Sequence, residues 1–312
     1  MVSLTAKILR EKGFLIMSEK QSVLIALGTF DGLHIGHKAV LFSNKNYYEK
    51  RIALLFTEHP QKLLAGKNPG ELLTRAKKEK LLKEWGYEPE YIDFGEISKK
   101  PPEEFIDDIL IKRYGATALC CGFNYRFGKN AEGNVDVLKR LCGEREMSLT
   151  VCNEIDYDGI PVSSTRIRDA IKNGDIEAAN KMLGYHFSYD FEVVHGDARG
   201  RILGSPTINQ FFPEDFTVAQ YGVYASYTVI DGKPYVSVTN IGVRPTVSGV
   251  SEKRSETNII GFNGDLYGQR VEVSLLKKIR NEMKFNSFDE LSNQIAIDRE
   301  QAVEIAKKEL NV

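Results

Sequence analysis

The chain has 312 residues, 42% of them hydrophobic, enough for about two domains that each bury a core. Its 42 Lys and Arg against 43 Asp and Glu leave a formal charge of −1, which argues against a broad basic surface for nucleic acid and confines any attraction for phosphate to local sites. The four cysteines, Cys120, Cys121, Cys142 and Cys152, have no CxxC spacing, so neither a zinc site nor a disulfide framework is expected, and free thiols in a reducing, cytoplasmic setting are.

The leading residues hold one short apolar run, Gly13-Phe14-Leu15-Ile16-Met17, followed at once by Ser18, Glu19 and Lys20. It is too short for a signal peptide or a membrane helix, so neither export nor a membrane partner is expected. Residues 1–20 read as a candidate extra leader, with Met17 an alternative start. The run 22–27 is continuously apolar, as a buried parallel strand is, and empties into Gly28-Thr29-Phe30-Asp31-Gly32-Leu33-His34-Ile35-Gly36-His37. Gly28, Gly32 and Gly36 let the backbone approach a ligand closely. His34 and His37 stand at the opening of the next helix, where unpaired N–H groups and the helix dipole favour anions. The stretch reads as a nucleotide-phosphate site; the alternative is a strand-to-helix turn with two surface histidines.

Further apolar strands at 51–56, 90–94, 116–120 and 148–152 alternate with helices at 71–85 and 102–113, which predicts a parallel sheet with ligands at the strands' C-terminal ends. Three motifs fall at such ends. Phe56-Thr57-Glu58-His59-Pro60 offers His59 either to a phosphate or to a turn before proline. Cys121-Gly122-Phe123-Asn124-Tyr125-Arg126-Phe127-Gly128 offers an arginine fork and aromatic rings to flank a planar ligand, or else an ordinary aromatic turn. Val162-Ser163-Ser164-Thr165-Arg166-Ile167-Arg168 reads as a capped helix start beside arginines, an anion trap or simply a cap. A helix over 175–184, with an Asp cap and a terminal glycine, closes the first domain near Tyr185.

Beyond it the texture changes to short strands at 187–194, 221–230, 234–239 and 270–276, with turns at Asp231-Gly232 and Asn263-Gly264-Asp265. That spacing predicts a small antiparallel barrel. An amphipathic helix over 288–310 follows, with Ala296, Ile297, Ala302, Ile305 and Leu310 apolar. The glycine-rich run from His195 to Asn209 suits phosphate, and Thr207 and Asn209 offer oxygens to a hard Mg²⁺ ion. On residues alone, 240–246 and 264–268 read as loops, and Glu256 as a solvated glutamate after Glu252, Lys253 and Arg254.

The string from Gly28 to His37 resembles the first motif of the HxGH nucleotidyltransferases and, within them, of the bacterial bifunctional riboflavin kinase/FAD synthetases (FMN adenylyltransferases). His34-Ile35-Gly36-His37 alone also matches class I aminoacyl-tRNA synthetases, but no Lys-Met-Ser-Lys-Ser segment accompanies it. The His59-Pro60 pair, the run from Cys121 to Gly128 with Gly133, and Ser163-Ser164-Thr165 with Arg168 resemble further segments of the flavin family. The second half is similar to riboflavin kinase through Pro206-Thr207-Ile208-Asn209, Asn240-Ile241-Gly242-Val243-Arg244-Pro245-Thr246 and Gly264-Asp265-Leu266-Tyr267-Gly268.

The resemblance implies a Rossmann-like α/β nucleotidyltransferase domain at 1–185 and a small antiparallel β-barrel kinase domain with a terminal helix at 186–312. It implies that His34 and His37 are catalytic in adenylyl transfer, with Gly28, Phe30, Asp31, Gly36, Ser164, Thr165 and Arg168 around the nucleotide and His59, Asn124 and Arg126 around the flavin. In the kinase half it implies Glu256 as general base on the riboflavin hydroxyl, Gly200, Gly204 and Thr207 on the ATP phosphates, and Thr207 and Asn209 as ligands of Mg²⁺. The expected partners are riboflavin, FMN and ATP, with FAD as product, and the chain a monomer or weak homo-oligomer. Ser205 stands where the family usually has phenylalanine, and Asn258 and Gly261 where histidine and aspartate are common, which puts kinase efficiency in question. Alternatives are an FAD synthetase with weakened or lost kinase activity, a flavin-binding regulatory protein, and a cytidylyltransferase or other small adenylyltransferase, the last opposed by the kinase-like half.

Overall fold

The apolar run at 22–27 forms strand β1 (Val23–Leu27), buried along its whole length. In the computed structural model, which describes residues 22–44, 46–66, 68–196, 207–245 and 251–310, β1 is the central strand of a parallel sheet. Then come α1 (Ile35–Phe42), β2 (Lys50–Phe56), α2 (Pro60–Ala65), α3 (Arg75–Glu84), β3 (Glu88–Ile92) and α4 (Phe94–Ile97). α5 (Pro102–Glu104) runs on with π-helical spacing over Phe105–Arg113, before β4 (Ala118–Gly122), α6 (Val135–Glu144) and β5 (Ser148–Cys152). The strand order is β3-β2-β1-β4-β5, reversing between β1 and β4.

Alternation along β1 sends Val23, Ile25 and Leu27 to one face, against Phe105, Ile106, Leu138 and Leu141, and Leu24 and Ala26 to the other, against Phe30, Leu33, Leu41 and Leu82. Both faces are therefore covered, which is why the strand carries no polar residue. The helix expected over 71–85 begins later, at Arg75, behind a Thr74 cap. Residues 71–73 are instead drawn out of it: Glu71 pairs with Phe216 of the second half, its N–H bonded to the Asp215 carbonyl.

A small hairpin, β6 (Asp156–Tyr157) and β7 (Ile160–Pro161), precedes α7 (Ser164–Lys172) and α8 (Ile176–Leu183). α8 has the Asp175 cap and ends in Gly184 at φ 77°, as its sequence predicts. Six antiparallel strands then follow, β8 (Ser188–Glu192), β9 (Thr207–Phe211), β10 (Gly222–Ile230), β11 (Lys233–Pro245), β12 (Ser251–Ile259) and β13 (Arg270–Arg280), in the order β8-β13-β10-β11-β12-β9. The Val194 N–H donates to the Asn209 carbonyl at 2.9 Å and brings the edges together, closing the barrel. α9 (Phe288–Leu310) seals one side, packing Ala302 and Ala306 on Ala225 and Leu276.

β9 and β12 were not among the predicted strands, and β11 and β13 run further than predicted. The faces of β10, β11 and β12 turned away from α9 carry hydroxyls in place of hydrocarbon: Ser226 bonds Thr239 at 2.8 Å, Thr239 bonds Thr257 at 2.9 Å, and Thr228 bonds Ser237 at 2.8 Å, all buried. Small hydroxylated residues fill the interior and satisfy one another, so the buried face has no hydropathy alternation to detect.

The halves meet along a polar seam. Lys77 of α3 bonds the Ser188 hydroxyl and lies 2.5 Å from the Glu272 carboxylate on β13, and Thr74 donates to Asp190 at 2.6 Å. Burial alone would raise the Glu272 carboxyl, but Lys77 outweighs it and holds the group below its ordinary value. Lys77→Met, which strands Glu272, is expected to cost about 1–3 kcal/mol in denaturant unfolding, and Lys77→Met with Glu272→Met to recover most of it. A double variant no better than the single one would show that the charges are not the origin of the loss.

Candidate active sites

The reversal of strand order between β1 and β4 opens a crevice at their C-terminal ends, and the segments leaving those two strands carry the glycine-histidine motif and the aromatic-arginine motif. His34 is the cap of α1, its backbone extended and its Nδ1 accepting from the His37 N–H at 3.3 Å. That bond leaves the hydrogen on Nε2, a donor for a ligand. The His37 ring stacks on it at 3.7 Å and 20°, and Phe30 meets His37 edge-on at 5.4 Å. A Cβ on Gly36 would stand 3.1 Å from the His34 ring and press on it, so glycine gives this stack its room. His37 Nδ1 is buried without a partner among the described residues.

Burial pushes His34 down to about 4, with Asp31 pulling the other way; burial and then the charge of His34 hold His37 well below its ordinary 6.5. Both imidazoles are neutral at pH 7. An unfolded chain protonates histidine near 6.5 whereas the folded site resists until about 4, so this contribution to stability is intact above 6.5 and lost as pH falls towards 4. The loss approaches about 1.4 kcal/mol per pH unit per histidine. Thermal unfolding of the wild type should fall more steeply between pH 6.5 and 5 than that of His34→Asn/His37→Asn; identical slopes would remove the histidines as the cause.

Asp31 is ion-paired to Arg168 Nη2 at 2.5 Å and faces His59 Nε2 at 3.5 Å. Burial would raise its carboxyl, but the His59 bond and the Arg168 charge prevail and hold it far below the ordinary range. An ionised carboxylate offers an anion no hydrogen. Its carboxylate is turned to Arg168 and His59. Arg168 also donates through Nε to the Gly70 carbonyl at 2.6 Å. Ser164 donates to the Asp31 carbonyl at 2.8 Å, bringing the start of α7 onto the loop, while Thr165 is exposed beside it. His59 caps α2, its Nδ1 accepting from Gln61 at 3.2 Å. Tyr185, read from sequence only as a boundary, donates its hydroxyl to the Gly32 carbonyl.

After β4, Asn124 and Arg126 are exposed at the same sheet edge. The aromatic wall is narrower than predicted. Phe127 turns into the core against Phe105, Tyr125 stacks on it at 5.6 Å, and Gly133 exists to admit it, since a Cβ there would lie 2.7 Å from the ring. Phe123, 46% exposed, is the ring left at the surface.

The barrel carries the second site. Glu256 on β12 stands opposite Asn209 on β9 and Asn240 on β11, and Asn258 stands opposite Thr207. Opposed residues share a face, so these side chains form one polar patch, and Ser255 and Thr257 point the other way into the barrel. Arg254, two residues before Glu256, is ion-paired to it. Asn209 Oδ1 is buried with no partner among the described residues, and Gly196 makes room for that amide, since a Cβ there would overlap it.

Two cavities meet at Thr207. One, of about 420 Å³, lies at the barrel end between Gly196, Asn209, Phe262 and Tyr267. The other, of about 290 Å³, has Glu256 and Asn258 on one wall and Met283, Phe285, Leu291 and Ile295 on the other. Asp298 of α9, clamped by Arg280 at 2.8 Å and by Gln294 at 2.9 Å, fixes that second wall. Gly200, Gly204 and Ser205 lie outside the described residues.

The riboflavin kinase family profile matches residues 183–306, and the FAD synthetase profile matches residues 16–166. The bifunctional riboflavin kinase/FMN adenylyltransferase of Bacillus subtilis is 33% identical over 302 residues, 93% of this chain and 94% of its own. Its namesake from Escherichia coli is 33% identical over 94% of this chain and 95% of its own. Among solved structures, the macrolide-efflux protein from Streptococcus pneumoniae is similar with a TM-score of 0.82 and 31% identity, over 90% of this chain and 94% of that one.

Proposed function

This chain belongs to the family of bifunctional riboflavin kinase/FMN adenylyltransferases, and on that premise we propose a division of labour between its two sites. It phosphorylates riboflavin to FMN and adenylylates FMN to FAD, using ATP in both steps. We assign the second step to residues 1–185 and the first to 186–312. Four free cysteines support a reducing, cytoplasmic setting, with the chain acting as a monomer or weak homo-oligomer.

The observation that carries the kinase assignment is the pair of cavities meeting at Thr207, with Glu256 in one and Asn209 in the other. A planar, largely apolar ring suits the wall of Met283, Phe285, Leu291 and Ile295, which delivers its side-chain hydroxyl to Glu256. Glu256 accepts the hydroxyl proton as the oxygen bonds to the γ-phosphorus of ATP and the bond to the β-phosphate oxygen breaks, leaving FMN and ADP. The orphaned Asn209 oxygen beside Thr207 is a donor set that fits a hard divalent cation, so these two residues would hold Mg²⁺, which neutralises phosphate charge when bound.

In the first domain an oxygen of the FMN phosphate attacks the α-phosphorus of a second ATP and pyrophosphate leaves, with no covalent enzyme intermediate. The N–H groups of α1, His34 Nε2 and His37 face the charge that develops on the phosphates, Gly28, Phe30 and Gly36 shape the loop around them, Ser164, Thr165 and Arg168 close it from α7, and His59, Asn124 and Arg126 border the flavin side. Incubation with riboflavin, ATP and Mg²⁺, in parallel with a reaction starting from FMN, should yield FAD in both when the flavins are separated by chromatography. FAD from FMN alone would mean a silent kinase half, and no new flavin in either would overturn the assignment.

A further inference from the structure

The end of α8 and the residues that lead from it into the barrel lie directly under the phosphate loop. A Cβ built on Gly184 would fall 2.8 Å from Ile35, a close approach that only a small residue allows, and one on Gly32 would stand in ordinary contact with Leu183 at 3.6 Å and collide with Leu72 at 2.7 Å. Tyr185 adds a polar tie, its hydroxyl donating to the buried Gly32 carbonyl. The tied loop is strained: Phe30 and Leu33, both buried, have φ of 46° and 42°, a region that side chains other than glycine rarely occupy. Such a conformation persists only where its surroundings over-determine it. Ser164 holds the Asp31 carbonyl, Arg168 and His59 hold the Asp31 carboxylate, and Tyr185 holds the next carbonyl along.

We propose that Tyr185 is a positioning residue for adenylyl transfer: it fixes the Gly32 carbonyl and so holds the turn that delivers His34 and His37 to the ATP phosphates. The idea rests on the assignment of that step to the first domain. The ring is itself braced from the kinase side, because Lys77, whose amine lies 5.5 Å from the ring centre, is ion-paired to Glu272 of the barrel. Without the hydroxyl the Gly32 carbonyl has no side-chain partner among the described residues, the loop relaxes towards one, and the imidazoles leave their line on the phosphates.

The test uses the full-length chain carrying Tyr185→Phe, which keeps the ring and removes only the oxygen. The kcat of FAD formation from FMN should fall about tenfold with KM for ATP changed less than about twofold, since groups already bound are misaligned while binding is spared. The kinase step, riboflavin to FMN, should stay at its wild-type rate, and the melting temperature should fall by only a few degrees, as the loss of one hydrogen bond to a buried carbonyl requires. A wild-type kcat, or an equal fall in both activities, would overturn the role of Tyr185. His34→Ala/His37→Ala, assayed alongside, separates the two ideas: if that variant still makes FAD, the site assignment itself fails, whereas if it is dead and Tyr185→Phe is fully active, only the role of Tyr185 fails.

Discussion

Replacing His34 and His37 together by alanine is expected to abolish FAD formation from FMN, by about 10³-fold or more, and to leave FMN formation from riboflavin unchanged. The size follows from what the two rings do at once. They stack at 3.7 Å over the start of α1, where the backbone N–H groups already favour anions, and both are neutral donors at pH 7. Loss of one preorganised donor to a developing oxyanion commonly lowers rate by about 10²–10³-fold, and here two are removed from a site that has no nucleophile of its own to fall back on. His34→Ala also deletes the α1 cap, worth about 1 kcal/mol, so a thermal melt belongs beside the assay. The kinase barrel is the internal control. Equal loss of both activities in a folded variant would defeat the division of labour.

Glu256→Gln should do the converse, lowering FMN formation by about 10²–10⁴-fold while FAD is still made from supplied FMN. Glutamine keeps the length and the hydrogen-bonding shape of the glutamate, so the row Asn240–Glu256–Asn209 across three strands stays filled. What is lost is the lone pair that takes the hydroxyl proton, and with it the charge that Arg254 balances. A variant that still phosphorylates riboflavin at the wild-type rate would show that the nucleophile needs no base, and Glu256 would then be reduced to a wall of the cavity.

The α/β half was largely legible because its signals are strong and local. A strand buried on both faces must be apolar throughout, as β1 is, and a capped helix start beside glycines shows in the order of residues alone. The barrel was half legible. β10 and β13 carry Val, Tyr, Ile and Leu, but β12 reads Ser-Glu-Lys-Arg-Ser-Glu-Thr-Asn-Ile, and the two residues it turns into the barrel are the hydroxylated Ser255 and Thr257, the latter bonded to Thr239 of β11. The strand bearing the proposed base is thus one that hydropathy cannot see, and only family resemblance drew attention to Glu256. Asp31 is a different case: sequence shows a carboxylate in a phosphate loop but not the arginine, 137 residues later, to which it is paired. Tyr185 was missed because nothing local marks a tyrosine in a linker as the partner of a carbonyl 153 residues earlier.

That last contact bears on the order in which the protein matures. A chain leaves the ribosome from its N-terminus and domains generally fold as they emerge, so the parallel sheet can assemble while the barrel is still being made. The turn at Gly32, however, acquires its final tie only when Tyr185 is out, and Lys77 finds Glu272 only once nearly the whole chain has been synthesised. The segment made first is thus finished last, and a nascent or truncated chain ending within the first domain would hold its histidines on an unlocked turn. On the proposed role of Tyr185, full competence to make FAD would wait for the residues that join the two halves of the chain.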